Sequence, residues 1–395
     1  MTHESEPIVF PLGASGPFHR LQAALRLLDH ERPAIGRRVL ACIAITWVPL
    51  VLLSWWQGLA PSADAATASV MTHIATYARF LVTLPLLIVA ENSVRPQLEQ
   101  ALSHAVTSGL VPKATYGRFV DIMMRALRAR ESTVAEVVVL ALAFATSQIS
   151  VTVATHGHHA SWIHVGPELT WAGRWYAWVS LPLLQFMIYR WFYRLSLWWR
   201  VMFGLSRLDL NILPGHPDER GGLAFLGDSV QAFALLALAF AGAAAGSVAD
   251  FVLNEGAPLG ELKGFIAGAA LAILALFLGP LFAFFRPAYR AKDEALIRYE
   301  ALAQQHWQTF TDRWLEAAPR EPASGHGREP EFSPLADLAA LVKGAREMKT
   351  LPITKEGVLP LVVAIVLPFL PLLATVFPLD EILAGIVHVF LGKAE

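Results

Sequence analysis

Long apolar stretches constrain the fold of this chain more than any other feature. A helix needs about 20 mostly apolar residues to cross ~30 Å of hydrocarbon, because each residue advances it by ~1.5 Å. Seven stretches meet that length: 39–56, 71–90, 133–153, 171–192, 228–252, 264–285 and 357–377. The sequence therefore predicts an all-α, polytopic transmembrane helix bundle of about seven spans, with the lipid bilayer as its surroundings.

Composition agrees with this prediction. Of the 395 residues, 55% are hydrophobic and 16% are charged, which is too little charge to cover a soluble domain of this length. The net charge of −1 produces no field that attracts nucleic acid, so no nucleic-acid partner is expected. The single cysteine, Cys42, excludes an internal disulfide framework. Residues 1–16 carry acidic residues and no basic n-region, and no clear cleavage site follows the first apolar stretch, so we interpret that stretch as a retained span.

Basic residues predict the orientation of the spans, because Lys and Arg resist translocation. The segment before the first span and the second-to-third, fourth-to-fifth and sixth-to-seventh connections are rich in them. The opposite side holds only Arg174, Lys263 and Lys393. This alternation places the N-terminus in the cytoplasm and the C-terminus outside. An arginine- and alanine-rich composition further suggests a bacterial protein of the inner membrane.

The same patterns divide the chain into four parts. Residues 1–38 form a cytoplasmic segment with an amphipathic helix at 18–28, and residues 39–285 form a transmembrane bundle of spans one to six. Residues 286–355 form a cytoplasmic helix, a linker at 319–334 and a second helix. Residues 356–395 form the seventh span and an amphipathic helix on the outer interface. Further cytoplasmic helices are predicted at 97–104 and 114–130, the second of which could continue into span three.

A charged residue inside the second stretch points to function. Arg79 lies eight residues from the outer end of that stretch, a depth at which a charge is costly. Thr72, Thr76 and Thr83 share its helical stripe, and spans three and five carry polar residues at a similar depth. We therefore predict a water-accessible vestibule, open to the outside, with Arg79 at its floor. The candidate substrate-pathway residues are Arg79, Thr76, Thr83, Gln148 and Asp250. The alternative is that Arg79 extends outward to the interface or pairs with Asp250.

The most distinctive string is the cytoplasmic loop from Leu213 to Leu223, LPGHPDERGGL. Its prolines restrict the chain and its glycines allow positive φ angles, which favours a rigid turn between two spans. Asp218 is placed to cap a helix, and exposed amides beside Arg220 could hold an anion. The candidate residues of this loop are His216, Asp218, Arg220, Gly221 and Gly222.

This HPD-x-x-GGL loop, the alanine-rich span after it and the Leu-Pro-rich last span resemble those of uncharacterised bacterial polytopic membrane proteins. The resemblance covers roughly the C-terminal half of the chain. It implies a multi-pass architecture in a bacterial membrane, and it implies no activity.

Other features carry weaker predictions. The outer loop histidines His156, His158, His159 and His164 could bind a transition metal, but their spacing matches no standard site and a solvated loop is the favoured interpretation. No cofactor motif is present, and none is expected to bind. Small-xxx-small pairs, Gly242/Gly246 and Gly264/Gly268, predict close helix packing or a homo-oligomer face. Glu91, Glu136 and Asp228 lie near cytoplasmic span ends, where we expect them to be solvated.

Three functional hypotheses follow. The first is transport of a small solute or ion past the Arg79 face. The second is a non-transporting scaffold or sensor that binds a cytoplasmic partner through 97–130 and 286–349. The third and weakest is an interfacial enzyme that uses His216 and Asp218.

Overall fold

The structure, a computed structural model, describes residues 35–58, 70–156, 162–165, 168–254, 256–314 and 332–373. These residues are almost entirely helical, with one short antiparallel pairing of His164–Val165 with Glu168–Leu169. The helices are α1 (Ile35–Trp56, interrupted at Trp47), α2 (Ile74–Thr107), α3 (Tyr116–Arg130), α4 (Thr133–His156), α5 (171–205), α6 (Ala224–Leu253), α7 (263–314), α8 (Phe332–Glu347) and α9 (Lys355–Leu372). The all-α bundle predicted from the sequence is confirmed.

Six of the described helices are long and apolar enough to cross a membrane: α1, α2, α4, α6, α7 and α9. They confirm a multi-pass membrane protein. Helix α5, the predicted fourth span, is not in this set because its arginines, Gln185 and aromatic residues lower its hydropathy.

Helix α5 nevertheless runs the length of the bundle. Its first amide, Trp171 N, donates to Gln57 Oε1 just after the end of α1 (2.9 Å). Beyond its last turn, Asn211 N donates to Leu110 O just after the end of α2 (2.8 Å). These contacts lie at opposite ends of the bundle, since α1 and α2 are antiparallel. The polar character of α5 is accommodated because the neighbouring helices bury much of its surface.

Two π-helical segments interrupt α2 and α5, each directly before a Leu-Pro pair. In α2 the segment is Ala78–Thr83, directly before Leu84-Pro85, and in α5 it is Tyr176–Ser180, directly before Leu181-Pro182. Proline has no amide hydrogen, so the carbonyl four residues earlier loses its helical donor. Residues 81 and 178 are those positions, and both lie inside the π-helical segments. Each π-helical segment therefore contains the carbonyl that the following proline leaves without a helical donor.

The segments predicted to be cytoplasmic differ in detail from the prediction. Residues 97–104 are not a separate helix but belong to α2, which continues past Pro96. Helix α3 ends at Arg130 and α4 begins at Thr133, so the two are not continuous. Helix α8 begins at Phe332, inside the predicted linker. The helix predicted at 18–28 and the amphipathic helix predicted after the seventh span lie outside the described residues.

Helices α7 and α8 pack together beyond the apolar part of the bundle. Lys292 Nζ donates to the carbonyls of Arg346 and Met348, both at 2.7 Å, and Arg346 pairs with Glu300 at 2.8 Å. These contacts hold α8 against the extension of α7 and position the segment that leads into α9.

Close packing of α6 on α2 depends on glycine. A Cβ atom at Gly246 would overlap the Cβ of Ala78, and one at Gly242 would touch Val82 at 3.7 Å. The predicted packing role of this pair is confirmed. Gly264 and Gly268 have nothing within 4 Å of their Cβ positions, so their predicted packing role is wrong within the described chain, and a homo-oligomer face there stays a prediction.

We expect Gly246→Ala to destabilise the protein by about 1–3 kcal/mol, the usual cost of overpacking. The matched control is Gly268→Ala, which adds the same methyl group into open space and gains helix propensity. Thermal unfolding of both variants in detergent provides the measurement. Equal melting temperatures for the two variants would show that the α2–α6 contact is not tight.

Candidate functional site

Arg79 lies in the π-helical segment of α2, and its half-buried side chain is directed between α5 and α6. Its Nη1 donates to the Tyr176 hydroxyl (3.1 Å) and its Nη2 donates to the Ser247 hydroxyl (3.3 Å). Both partners are neutral, and Arg79 forms no ion pair with any carboxylate in the described part of the chain. The guanidinium therefore stays inside the bundle with its charge uncompensated.

Asp250, the alternative partner of Arg79, makes other contacts. Its carboxylate lies 3.5 Å from His73 Nδ1 and accepts a hydrogen bond from Asn254 Nδ2 (3.1 Å). Both contacts are on the outer side of Arg79, because His73 precedes Arg79 and Asp250 follows Ser247 toward the outer ends of their helices. Asp250 thus belongs to an outer polar layer and not to the guanidinium site.

The other pathway candidates mainly satisfy backbone carbonyls. Thr83 donates to Ala239 O (3.1 Å), which joins α2 to α6. Gln148 and the neighbouring Ser147 both donate to Ala177 O at 3.0 Å. Ala177 lies in the π-helical segment of α5, where the regular α-helical hydrogen-bond pattern is interrupted. The side chains of Ser147 and Gln148 supply hydrogen-bond donors to its carbonyl oxygen. Thr76 is buried, as its position on the inward stripe predicts.

Trp162 covers the outer side of this site. It is almost fully buried and packs edge-on against Tyr176, with ring centroids 5.3 Å apart, and against His73 at 6.3 Å. Phe80 packs edge-on against the same tyrosine at 6.1 Å. The Arg79 side chain stays partly exposed beside this aromatic layer, and a vestibule open to the outside stays a prediction. We call Arg79, Tyr176 and Ser247 the guanidinium site.

A second polar cluster, which sequence reasoning missed, lies at the opposite end of the same helices, which the basic residues predict to be cytoplasmic. Glu91 on α2 pairs with Arg38 (2.5 Å), Arg194 (2.9 Å) and Arg190 (3.2 Å), and Arg190 lies 3.9 Å from Glu136. These five side chains come from α1, α2, α4 and α5. We call them the Glu91 cluster.

The expectation that Glu91 and Glu136 are solvated is wrong. Their side chains are 8% and 14% exposed, because four helices meet at this level and enclose them. Arg38, assigned to the cytoplasmic segment, instead lies inside α1. The sequence did contain a pattern that could have predicted this cluster: carboxylates and arginines lie near the same end of four different spans. Only the packing shows that they face one another.

The HPD-x-x-GGL loop folds around its own aspartate. Asp218 accepts hydrogen bonds from the amides of Arg220 (2.8 Å), Gly222 (3.0 Å) and Ala224 (3.0 Å), the last of which begins α6, and His216 Nδ1 lies 2.9 Å from it. Partial burial raises the pKa of this carboxyl, but the amides of Gly222, Arg220 and Ala224 outweigh it and lower the pKa below its usual value. The amides expected to hold an anion thus hold the carboxylate of Asp218.

The loop is also tied to the segment before α9. Glu219 O accepts from Lys349 N (2.7 Å), Glu219 pairs with Lys349 Nζ (2.8 Å), and Arg220 Nη2 donates to Ile353 O (2.9 Å). Gly221 and Gly222 have φ angles of 68° and 86°, as the turn interpretation requires. The geometry favours a rigid turn, and catalysis by His216 and Asp218 stays a prediction.

The outer histidines fall mainly outside the described structure. His158 and His159 are not described, the side chain of His156 is not described, and His164 lies in the short strand pairing. Within the described ranges no group of three or more His, Cys, Asp and Glu side chains could hold a metal ion. The metal hypothesis therefore stays a prediction.

Comparison with known proteins gives no match: no protein-family model fits the chain, and no curated protein or solved structure is significantly similar to it.

Proposed function

We propose that this protein transports a small anionic solute across a bacterial inner membrane and binds it at the guanidinium site. The observation that carries the proposal is the uncompensated charge of Arg79 inside the bundle, held by two neutral hydroxyl groups. A charge within a membrane span is costly, and such residues usually mark an ion or substrate pathway. A carboxylate partner would neutralise Arg79, whereas Tyr176 and Ser247 leave its charge available to an incoming anion.

The local backbone supports this proposal. Arg79 and Tyr176 both lie in π-helical segments, which occur frequently at functional sites because they change the direction of side chains without ending the helix. Ser247 comes from a third helix, so the site lies where α2, α5 and α6 meet. A planar guanidinium can donate two parallel hydrogen bonds to a carboxylate or phosphate. Such an anion would replace the hydroxyl groups of Tyr176 and Ser247 as the acceptor of the Arg79 hydrogen bonds.

The charge of the bundle interior favours an anion over a cation. The Glu91 cluster contains three arginines and two glutamates, and Arg79 adds a further positive charge 12 residues away on the same helix. That separation is ~18 Å along α2 at ~1.5 Å per residue. An anion that moves along α2 therefore meets a net positive interior at both levels.

The test is uptake of labelled anions into proteoliposomes. Purified protein should accelerate the uptake of small carboxylates or phosphates over protein-free liposomes, and should not accelerate uptake of sodium. The proposal would be contradicted if neither carboxylates nor phosphates entered the proteoliposomes faster than they enter protein-free liposomes.

Binding of a cytoplasmic protein is a second candidate function. Its support is a set of apolar side chains exposed on the paired cytoplasmic helices: Ile297, Leu302, Trp307 and Leu341. Exposed apolar residues in an aqueous region often mark interaction surfaces. A scaffold of this kind requires no pathway through the bundle.

This second candidate predicts that Ile297→Glu prevents co-purification of a specific cytoplasmic protein. The matched control is Arg298→Gln, a neighbouring residue that is also exposed on α7. Loss of the partner from the first variant alone supports a scaffold. Retention of the same partner by both variants argues against this surface.

A further inference from the structure

A cleft of about 620 Å³ opens between α3 and the cytoplasmic end of α5. Its polar lining consists of four arginines and one aspartate: Arg118, Arg125, Arg200, Arg207 and Asp121. Apolar side chains, among them Ile122, Leu197 and Phe203, line the remainder. The cleft is separate from the guanidinium site, none of whose residues contributes to it.

The charge of this cleft is not neutralised within the described chain. None of the four lining arginines forms an ion pair with a described carboxylate, and the Arg125 side chain donates only to the backbone carbonyl of Asp121 (3.2 Å). All four are exposed. Four guanidinium groups beside one carboxylate give the cleft a formal charge of about +3, because arginine stays protonated at any physiological pH.

Contacts of α5 place the cleft at the boundary of the membrane. Trp199, next to Arg200, donates from its indole nitrogen to Leu276 O (3.0 Å), and its ring lies against Gly279. Leu276 and Gly279 lie in the half of the apolar stretch of α7 that leads into its charged extension. Tryptophan is enriched at membrane interfaces, so we infer that Arg200, next to Trp199, is close to the level of the lipid headgroups.

The shape of α3 fits the same location. Phe119 and Met123 are buried against the bundle, while Arg118, Arg125 and Arg128 are exposed. At the edge of the cleft, Phe203 on α5 remains 41% exposed. The cleft thus combines a cationic lining with an exposed apolar border, which suits a ligand that has an anionic head and an apolar tail.

We propose that this cleft binds the phosphate headgroup of an anionic phospholipid from the cytoplasmic leaflet. The phosphate would accept hydrogen bonds from Arg200 and Arg207 on one side and from Arg118 and Arg125 on the other. An acyl chain would lie along Phe203 into the bilayer. Basic pockets beside transmembrane helices on the cytoplasmic side recognise lipid headgroups through this combination of contacts.

Native mass spectrometry of the full-length protein in neutral detergent tests the proposal. The probe is short-chain phosphatidylglycerol, compared with phosphatidylcholine of the same chain length. We expect the anionic lipid to bind more tightly, and the double variant Arg200→Gln/Arg207→Gln to bind it about 30-fold more weakly, since each basic residue near a membrane surface contributes about fivefold. Arg128→Gln is the matched control, because Arg128 lies on α3 but does not line the cleft.

Three results would overturn this assignment. The first is equal binding of phosphatidylglycerol and phosphatidylcholine by the unmodified protein. This comparison does not depend on the folding of any variant. The second is an equal loss of binding in the Arg128 control and the double variant. The third is displacement of the lipid by inorganic phosphate at the same concentration, which would identify a site for a free anion and not for a lipid.

Discussion

Replacement of Arg79 by glutamine should reduce anion uptake by about 100-fold while the protein stays folded. Two hydrogen bonds from a charged donor to an anion are together worth about 3–6 kcal/mol, and the neutral amide loses most of that energy. Glutamine is still long enough to donate toward Tyr176 or Ser247. Stability should be unchanged or slightly higher, because the variant no longer holds an uncompensated charge within the membrane.

This separation of transport from stability distinguishes a pathway residue from a structural one. Uptake is measured in proteoliposomes that contain equal amounts of protein, and unfolding is followed by heating in detergent. Arg79→Lys should retain part of the uptake because it keeps the charge but not the planar donor pair. Arg174→Gln is the control, since it removes an arginine at the outer end of α5 that stacks on Trp171. Uptake by Arg79→Gln at the unmodified rate would exclude the guanidinium site from the pathway.

The Glu91→Gln variant should show the opposite behaviour, a large loss of stability. Glu91 is the shared partner of Arg38, Arg190 and Arg194, all of which are buried. Removing one member of a buried ion pair typically costs about 3–5 kcal/mol, because the remaining charge is left without compensation. Here three guanidinium groups would be affected. We expect a lower melting temperature and less monodisperse protein after extraction.

Glu99→Gln is the matched control for this variant. Glu99 lies on the same helix and pairs with Arg95 one turn away, but that pair is more exposed. Such a pair contributes less than about 1 kcal/mol, so the control should unfold near the unmodified temperature. The double variant Glu91→Gln/Arg38→Gln should recover part of the loss, because it removes one of the stranded charges. A Glu91→Gln protein as stable as the control would mean that the cluster does not hold α1, α2 and α5 together.

Much of the fold could be predicted from one chain because the bilayer imposes simple rules. Apolar length identified the spans, and basic residues predicted their alternation. Helix α5 shows the limit of hydropathy: enclosed by other helices, it carries Gln185 and Arg190 and still runs the length of the bundle. Its position follows from its contacts with Gln57 at one end and near Leu110 at the other.

The two polar sites were predictable to different degrees. Arg79 stood out because a lone arginine inside an apolar stretch is rare and costly. Its partners Tyr176 and Ser247 did not stand out, since a hydroxyl group within a span is common. Glu91 was assigned to the solvent because it lies at the end of its own apolar stretch. That reasoning fails where several helices end at the same level and bury one another.

The amino-acid sequence by itself determined the helices and their membrane character, since apolar length acts within a single segment. Only the tertiary structure decided that Arg79 meets two hydroxyl groups and that Glu91 meets three arginines. The physical reason is that lipid and helix interior are similarly apolar, so hydropathy does not specify how each helix is rotated against its neighbours. Close contacts such as Gly246 on Ala78 specify that rotation, and they form only once the helices pack.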